Sequence, residues 1–247
     1  MKKLSILLAS LCLMFSSVAV NAQTVKEHAP YIKGYSDGTI RPDDNITREE
    51  AAVIIHRLVS DNVPTTMMLV RYSDLSVDRW SYHAVNILVN QNVITGYPDD
   101  TFRPSAKITR AEAAAMFSRL NRRQVPEDEG KADYKGHWAA GSIKYGIDNG
   151  YLKGYEDGNF KPDQYITRAE FIKMANKVFD RCVEIDAKIE KNQIPKDLKE
   201  DEWYFNDVIE AVLPHRYEIK DGKKVYTQTI NAADLKNSNQ GCQHGDY

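Results

Sequence analysis

Gly96-Tyr97-Pro98-Asp99-Asp100-Thr101-Phe102-Arg103-Pro104, followed by Ile108-Thr109-Arg110-Ala111-Glu112, decides the reading of this chain because both blocks occur three times. The first block recurs as Gly34-Tyr35-Ser36-Asp37-Gly38-Thr39-Ile40-Arg41-Pro42 and as Gly154-Tyr155-Glu156-Asp157-Gly158-Asn159-Phe160-Lys161-Pro162. The second recurs as Ile46-Thr47-Arg48-Glu49-Glu50 and Ile166-Thr167-Arg168-Ala169-Glu170. Both series step by 62 and then 58 residues, so length in this chain counts copies of one unit.

The second block announces a helix. Thr47, Thr109 and Thr167 stand as N-caps, with Glu50, Glu112 and Glu170 three residues on, which is a capping box. Ile46, Ile108 and Ile166 precede the caps and are placed to staple onto Ala51, Ala113 and Phe171. The Gly-Tyr block reads as an irregular turn: Asp37-Gly38, Asp157-Gly158 and Asp100 suit positive φ, and Ile40, Phe102 and Phe160 suit plugs into a core. Upstream, Tyr72-Ser73-Asp74-Leu75 leads to Trp80 and a helical apolar pattern ending near Gln91. Asp133-Tyr134 leads to Trp138 in the same way, and each Trp stands 16 residues before its Gly-Tyr. The unit is helix, turn, helix, and the fold class expected is mainly all-α.

The first copy lacks its Trp helix. A matching segment, Trp203-Tyr204-Phe205-Asn206-Asp207-Val208-Ile209-Glu210-Ala211-Val212, stands near the other end. Asp221-Gly222 and Ile230-Asn231-Ala232-Ala233-Asp234 follow it in the register of Gly158 and Ile166-Thr167-Arg168-Ala169-Glu170, as a worn fourth copy. The expected organisation is a partial repeat over 23–66, full repeats over 67–125 and 126–187, a linker over 188–200 and a degenerate repeat over 201–247. The Trp203 helix is expected to fill the gap beside Gly34 and close the ring.

Residues 1–22 read as a secretory signal: Lys2 and Lys3, an apolar run from Leu4 to Val20, then a small-residue cleavage site at Ala22. No later run is long and apolar enough to span a bilayer. The chain carries 33 basic and 35 acidic residues, and without Lys2 and Lys3 the balance is −4. That argues against nucleic acid, which needs a basic surface. Cys182 and Cys242 remain after the signal is removed, either as one disulfide or as two free thiols.

One residue opposes helix physics. Arg48, Arg110 and Arg168 occupy the first helical position, at the positive end of the dipole. Two readings stand side by side: an anion site made with the helix-end N–H groups, or a clamp to a turn carboxylate such as Asp37, Asp99 or Asp157. Trp80, Trp138 and Trp203 are either sugar-stacking surfaces or helix anchors. Gly96 and Gly154 permit either a tight turn or the approach of a ligand to the backbone. An enzyme is disfavoured. His28, His56, His83, His137, His215 and His244 show no metal-ligand spacing, there is no Gly-x-Ser-x-Gly, and the repeated glutamates are accounted for as caps.

These blocks together resemble the S-layer homology family; Thr109-Arg110-Ala111-Glu112 and Thr167-Arg168-Ala169-Glu170 match its signature fully, and Thr47-Arg48-Glu49-Glu50 departs at one residue. The resemblance implies a pseudo-threefold spindle of repeats. It implies a secreted protein of the cell surface, cell wall or periplasm that binds an anionic cell-wall polysaccharide or peptidoglycan, without a cofactor. Other envelope proteins are further partners to consider, and a structural or protein-interaction module with decayed glycan sites is the alternative. The ligand is expected in grooves between repeats, on Arg48, Arg110 and Arg168, with Trp80, Trp138, Trp203, Gly96 and Gly154 nearby. A Cys182–Cys242 bond would tie the tail to the third repeat.

Overall fold

Ile46, Ile108 and Ile166, the residues before the three N-caps, meet on a pseudo-threefold axis. Ile46 N–H donates to the Ile166 carbonyl, Ile108 N–H to that of Ile46, and Ile166 N–H to that of Ile108, each at 3.1 Å. All three side chains are fully buried. The computed structural model describes residues 26–59, 68–120, 132–185 and 188–231. The signal segment, Cys242, the linker around Pro126 and the helix expected after Asn231 lie outside the described residues.

A long helix leaves the axis in each repeat: α1 (Arg48–Val59), α3 (Arg110–Leu120) and α5 (Arg168–Val178). Short helices α2 (Tyr82–Asn90), α4 (Ala140–Asp148) and α6 (Phe205–Val212) pack on α1, α3 and α5 in turn. The expected capping boxes form in all three copies. Thr47, Thr109 and Thr167 N–H groups donate to Glu50, Glu112 and Glu170 at 2.8–2.9 Å, and the glutamate N–H groups donate back to the threonine hydroxyls. The core collects the predicted plugs and staples, including Phe102, Phe160, Ala113 and Phe171.

The turn block is held from outside itself. Gly38, Asp100 and Gly158 take positive φ as the sequence suggests, but so do Arg41, Arg103 and Lys161, where a side chain is disfavoured. One carboxylate anchors each of these strained residues. Asp74 accepts the Phe102 and Arg103 N–H groups at 2.7 Å, and Asp133 accepts those of Phe160 and Lys161 at 2.8 and 2.6 Å.

In the first repeat the same task falls to Asp197, which accepts Ile40 and Arg41 N–H at 2.9 and 2.7 Å from more than 150 residues away. The segment expected to be a linker therefore completes repeat one. Tyr151 and Leu152 N–H groups donate to the Gly146 carbonyl of the preceding helix; in the first repeat Tyr31 and Ile32 donate to Ala211 of α6. Tyr204 also reaches Asp43 at 3.1 Å. The ring is closed head to tail by the Trp203 helix, as expected.

The tail beyond α6 differs from the expected worn repeat. Residues aligned with the Gly-Tyr block form a hairpin, β3 (His215–Lys220) and β4 (Lys223–Thr229), turning at Asp221-Gly222 with both φ values positive. A two-residue turn of that kind matches strand twist. With β1 (Lys26–His28) and β2 (Glu184–Ile185) the hairpin builds a four-stranded sheet in the order β1-β3-β4-β2 over the seam.

Replacing Asp197 by alanine should destabilise the fold by about 1–3 kcal/mol, the cost of two orphaned backbone donors. Hydrogen exchange should locate the loosening at Ile40–Asp44 as well as around position 197. Protection unchanged at Ile40 would contradict this closure.

Candidate functional site

Each first-position arginine is nearly inaccessible: Arg48, Arg110 and Arg168 are 5, 6 and 4% exposed. Arg48 Nε donates to the Phe102 carbonyl at 2.9 Å, Nη2 to Thr95 at 2.8 Å, and Nη1 to Glu112 Oε1 at 3.2 Å. Arg110 repeats this on Phe160, Lys153 and Glu170, and Arg168 reaches Ile40 and Glu50. The clamp carboxylate is thus the capping glutamate of the next repeat. Asp37, Asp99 and Asp157, the expected partners, pair instead with Arg41, Arg103 and Lys161. The helix-end N–H groups are also engaged: Arg48, Arg110 and Arg168 donate to Ala106, Gln164 and Asp44 carbonyls at 2.9 Å. An anion would meet the guanidinium edge and not those N–H groups.

The repeated tyrosine has a role the sequence reading missed. Tyr97 and Tyr155 lie under Arg48 and Arg110 at 4.9 and 4.7 Å, and their hydroxyls donate to Glu112 and Glu170. Tyr35 does the same with Arg168 and Glu50. Burial pushes the Glu50 carboxyl up, but the Thr47 N–H, the Arg168 charge and the Tyr35 and Thr47 hydroxyls outweigh it and hold it below its ordinary value of 4.5. The odd residue of the first signature, Glu49, is compensated locally. Its buried carboxylate accepts two bonds from Arg79 and one from Ser81, all at 2.7 Å.

Beside α3 these parts form a cleft of about 230 Å³ that brings Arg48 of the first repeat, Gly96, Tyr97, Glu112 and Arg119 of the second and Trp138 of the third together. Trp138 is 64% exposed, and Trp80 and Trp203 are 42 and 55% exposed, so each indole keeps a solvent-facing surface. Gly96 is explained first by packing: a Cβ there would stand 2.1 Å from the Tyr72 ring and 2.9 Å from the Thr101 carbonyl oxygen. Gly154 is likewise closed off by the Asn159 carbonyl at 2.9 Å.

The corresponding positions of the other repeats differ from this cleft. Arg119 has no hydrogen-bond or ion-pair partner among the described residues, and burial lowers its pKa. The residues in its register, Arg57 and Lys177, donate to the Tyr31 and Gly150 carbonyls. On α5, Lys173 replaces Ala115 of α3; its ammonium sits 4.7 Å over the Trp203 ring and 3.4 Å from Asp207. Cys182 is exposed at the end of the third repeat.

A closed ring of helical repeats with an exposed tryptophan at the mouth of a cleft defines a pseudo-threefold repeat module. The sequence model for the S-layer homology domain matches residues 23–52, 71–114 and 132–172, and the chain belongs to that family. It is 34% identical over 214 residues to a cellulosome-anchoring protein of Acetivibrio thermocellus, covering 83% of this chain and 47% of that one. It is 34% identical over 220 residues to cell surface glycoprotein 1 of the same organism, covering 83% and 9%. An S-layer protein of Bacillus anthracis is 33% identical over 105 residues, 42% of this chain and 12% of that one. The chain thus spans less than half the length of these relatives. Its family is that of secreted, cell-surface and cell-wall-associated proteins and serves generally in cell-envelope attachment. No helix among the described residues is long and apolar enough to cross a membrane.

Arg110→Ala should cost about 1–3 kcal/mol in urea unfolding, because it leaves the Phe160 and Lys153 carbonyls without their donor. Arg110→Lys should restore little of it, since an ammonium cannot span the three acceptors. Glu50 also sets a pH dependence. The unfolded chain protonates Glu50 near its ordinary value and the folded chain only at lower pH. Its contribution is therefore complete above that range and lost as pH falls through the folded value. Urea midpoints should fall as pH drops below the ordinary carboxyl value of 4.5, and less steeply in Glu50→Gln. An equal slope in the variant would show that other carboxylates carry the acid sensitivity.

Proposed function

We propose that this chain holds an envelope glycan, an anionic secondary cell-wall polysaccharide or peptidoglycan, in the cleft beside α3 that Arg48, the second repeat and Trp138 line. The observation that carries the reading is the pairing of an exposed indole, Trp138, with an uncommitted arginine, Arg119, in one cleft. Sugar rings present apolar faces that stack on aromatic side chains, and carboxylate-bearing groups take a guanidinium fork. Arg48 spends three of its five N–H donors inside the protein and lines the cleft floor. Arg110 and Arg168, with Trp80, Trp203 and Gly154, are the counterparts in the other repeats. Beside α5, Lys173 occupies one face of the indole, which favours weaker binding there. The chain's similarity to a cellulosome-anchoring protein and an S-layer protein supports attachment as the purpose. A Cys182–Cys242 disulfide belongs to the same reading of an extracytoplasmic protein, and a non-reducing peptide map tests it.

The alternative, a structural or protein-interaction module with decayed glycan sites, draws on the Lys173 ammonium that already occupies one face of Trp203. Sedimentation with purified cell walls, intact or stripped of secondary polymer, separates the two. Trp138→Ala and Arg119→Ala should each weaken binding at least tenfold, about 1.4 kcal/mol, with unchanged unfolding. Trp203→Ala should weaken it less. Binding equal to wild type in both cleft variants would overturn the glycan reading, and loss on stripped walls would identify the polymer over peptidoglycan.

A further inference from the structure

His28 of β1, Glu210 of α6 and His215 at the start of β3 turn their polar atoms toward one point beneath the sheet. His28 Nδ1 lies 2.8 Å from Glu210 Oε1, and His215 Nε2 lies 2.8 Å from Oε2. Arg181 Nε stands 2.9 Å from Oε1. Glu210 and His215 are fully buried, while the His28 side chain keeps 12% exposure and so an opening to solvent. Tyr217 rests against His28 and Tyr226 stacks on His215, fixing both rings. Yet His28 Nδ1, His215 Nε2, Arg181 Nε and both Glu210 oxygens all lack an aligned hydrogen bond. Five buried polar atoms converge without bonding one another well, which costs free energy unless something else satisfies them.

The tautomer of His215 sharpens the point. Its Nδ1 lies 2.8 Å from the Leu213 carbonyl oxygen, which can only accept, so Nδ1 carries the hydrogen. In the neutral ring Nε2 then presents a lone pair to a carboxylate, so either a second ring proton or a metal cation must lie between them. A backbone carbonyl holding the far nitrogen is also how metal-bound histidines are oriented. The three donor atoms lie within 4.8 Å of one another. The closest pairs are at 2.8 Å. Those values bracket the roughly 3.3 Å between ligands of a tetrahedral ion with bonds of about 2.0–2.1 Å. Sequence spacing hides the set, since His28 and His215 come from opposite ends of the chain.

We propose that His28, Glu210 and His215 form a divalent metal site of the zinc class that clasps the two ends of the chain across the seam. Arg181 remains on the carboxylate as its outer partner. The site is remote from the glycan reading and independent of it, and the ion stabilises the folded ring because the unfolded chain does not assemble the ligands.

Zinc titrated into the chelator-treated full chain should bind at one ion per chain and raise Tm. His28→Ala, at the partly open rim, should bind at least tenfold more weakly and lose the Tm rise. His56→Ala/His83→Ala, which removes a second histidine pair with rings 5.5 Å apart, should behave as wild type. Cobalt(II) bound to the wild-type chain should show the intensified visible absorption of a four- or five-coordinate ion, a readout that needs no variant. No stoichiometric zinc uptake, uptake unaffected by His28→Ala, or an octahedral, aqua-like cobalt spectrum would each overturn the proposal.

Discussion

Everything in this ring depends on a carboxylate shared between two repeats. One oxygen of Glu112 closes the capping box of its own helix; the other takes the guanidinium of Arg48 from the repeat before. Glu170 does this for Arg110, and Glu50 for Arg168, so the chain of dependence returns to its start. A buried arginine is expensive alone and tolerable when its charge and donors are met. The repeat therefore cannot bury its arginine by itself; it needs a successor, and only a closed cycle satisfies all three.

That dependence explains the position of arginine against the helix dipole. The residue that looks misplaced on one helix is placed correctly for the next repeat, where two carbonyl oxygens and a carboxylate wait. The tyrosine of the Gly-Tyr pair completes the arrangement by lying under the guanidinium and donating to the same glutamate. Function then depends on what this framework leaves over. The framework arginines are largely consumed, whereas Arg119 and the exposed indole of Trp138 are not.

What the sequence made legible was whatever a single repeat determines. Thr109 with Glu112, the isoleucine before each cap, and the glycine or aspartate at positive φ are local signals, and each is found where expected. The Trp203 helix was legible because it repeats a pattern whose place was empty. Contacts between repeats were not legible: nothing in the spacing of Arg48 and Glu112 says they touch, and Asp197 stands in a stretch that reads as linker. The hairpin over 215–229 was hidden differently. Asp221-Gly222 is a strong hairpin turn, but alignment with the earlier copies read it as one more Asp-Gly of the repeat. Arg119 sits in a register where arginine or lysine is ordinary, and only its lack of a partner among the described residues distinguishes it.

The split first repeat imposes an order of events on the polypeptide. Repeats two and three contain their own short helices and turn anchors, so their local contacts are available once each unit has emerged. Repeat one has only its second half near the beginning, and its missing pieces, Asp197 through Ala211, arrive about 160 residues later. Long-range pairing of this kind is slow because loop closure must precede any favourable contact. Until then the backbone donors of Tyr31, Ile32, Ile40 and Arg41 lack their acceptors. A chain that emerges from its N-terminus must therefore keep its first turn block waiting for its last helix, and the time between them is when the protein is most exposed to misassembly.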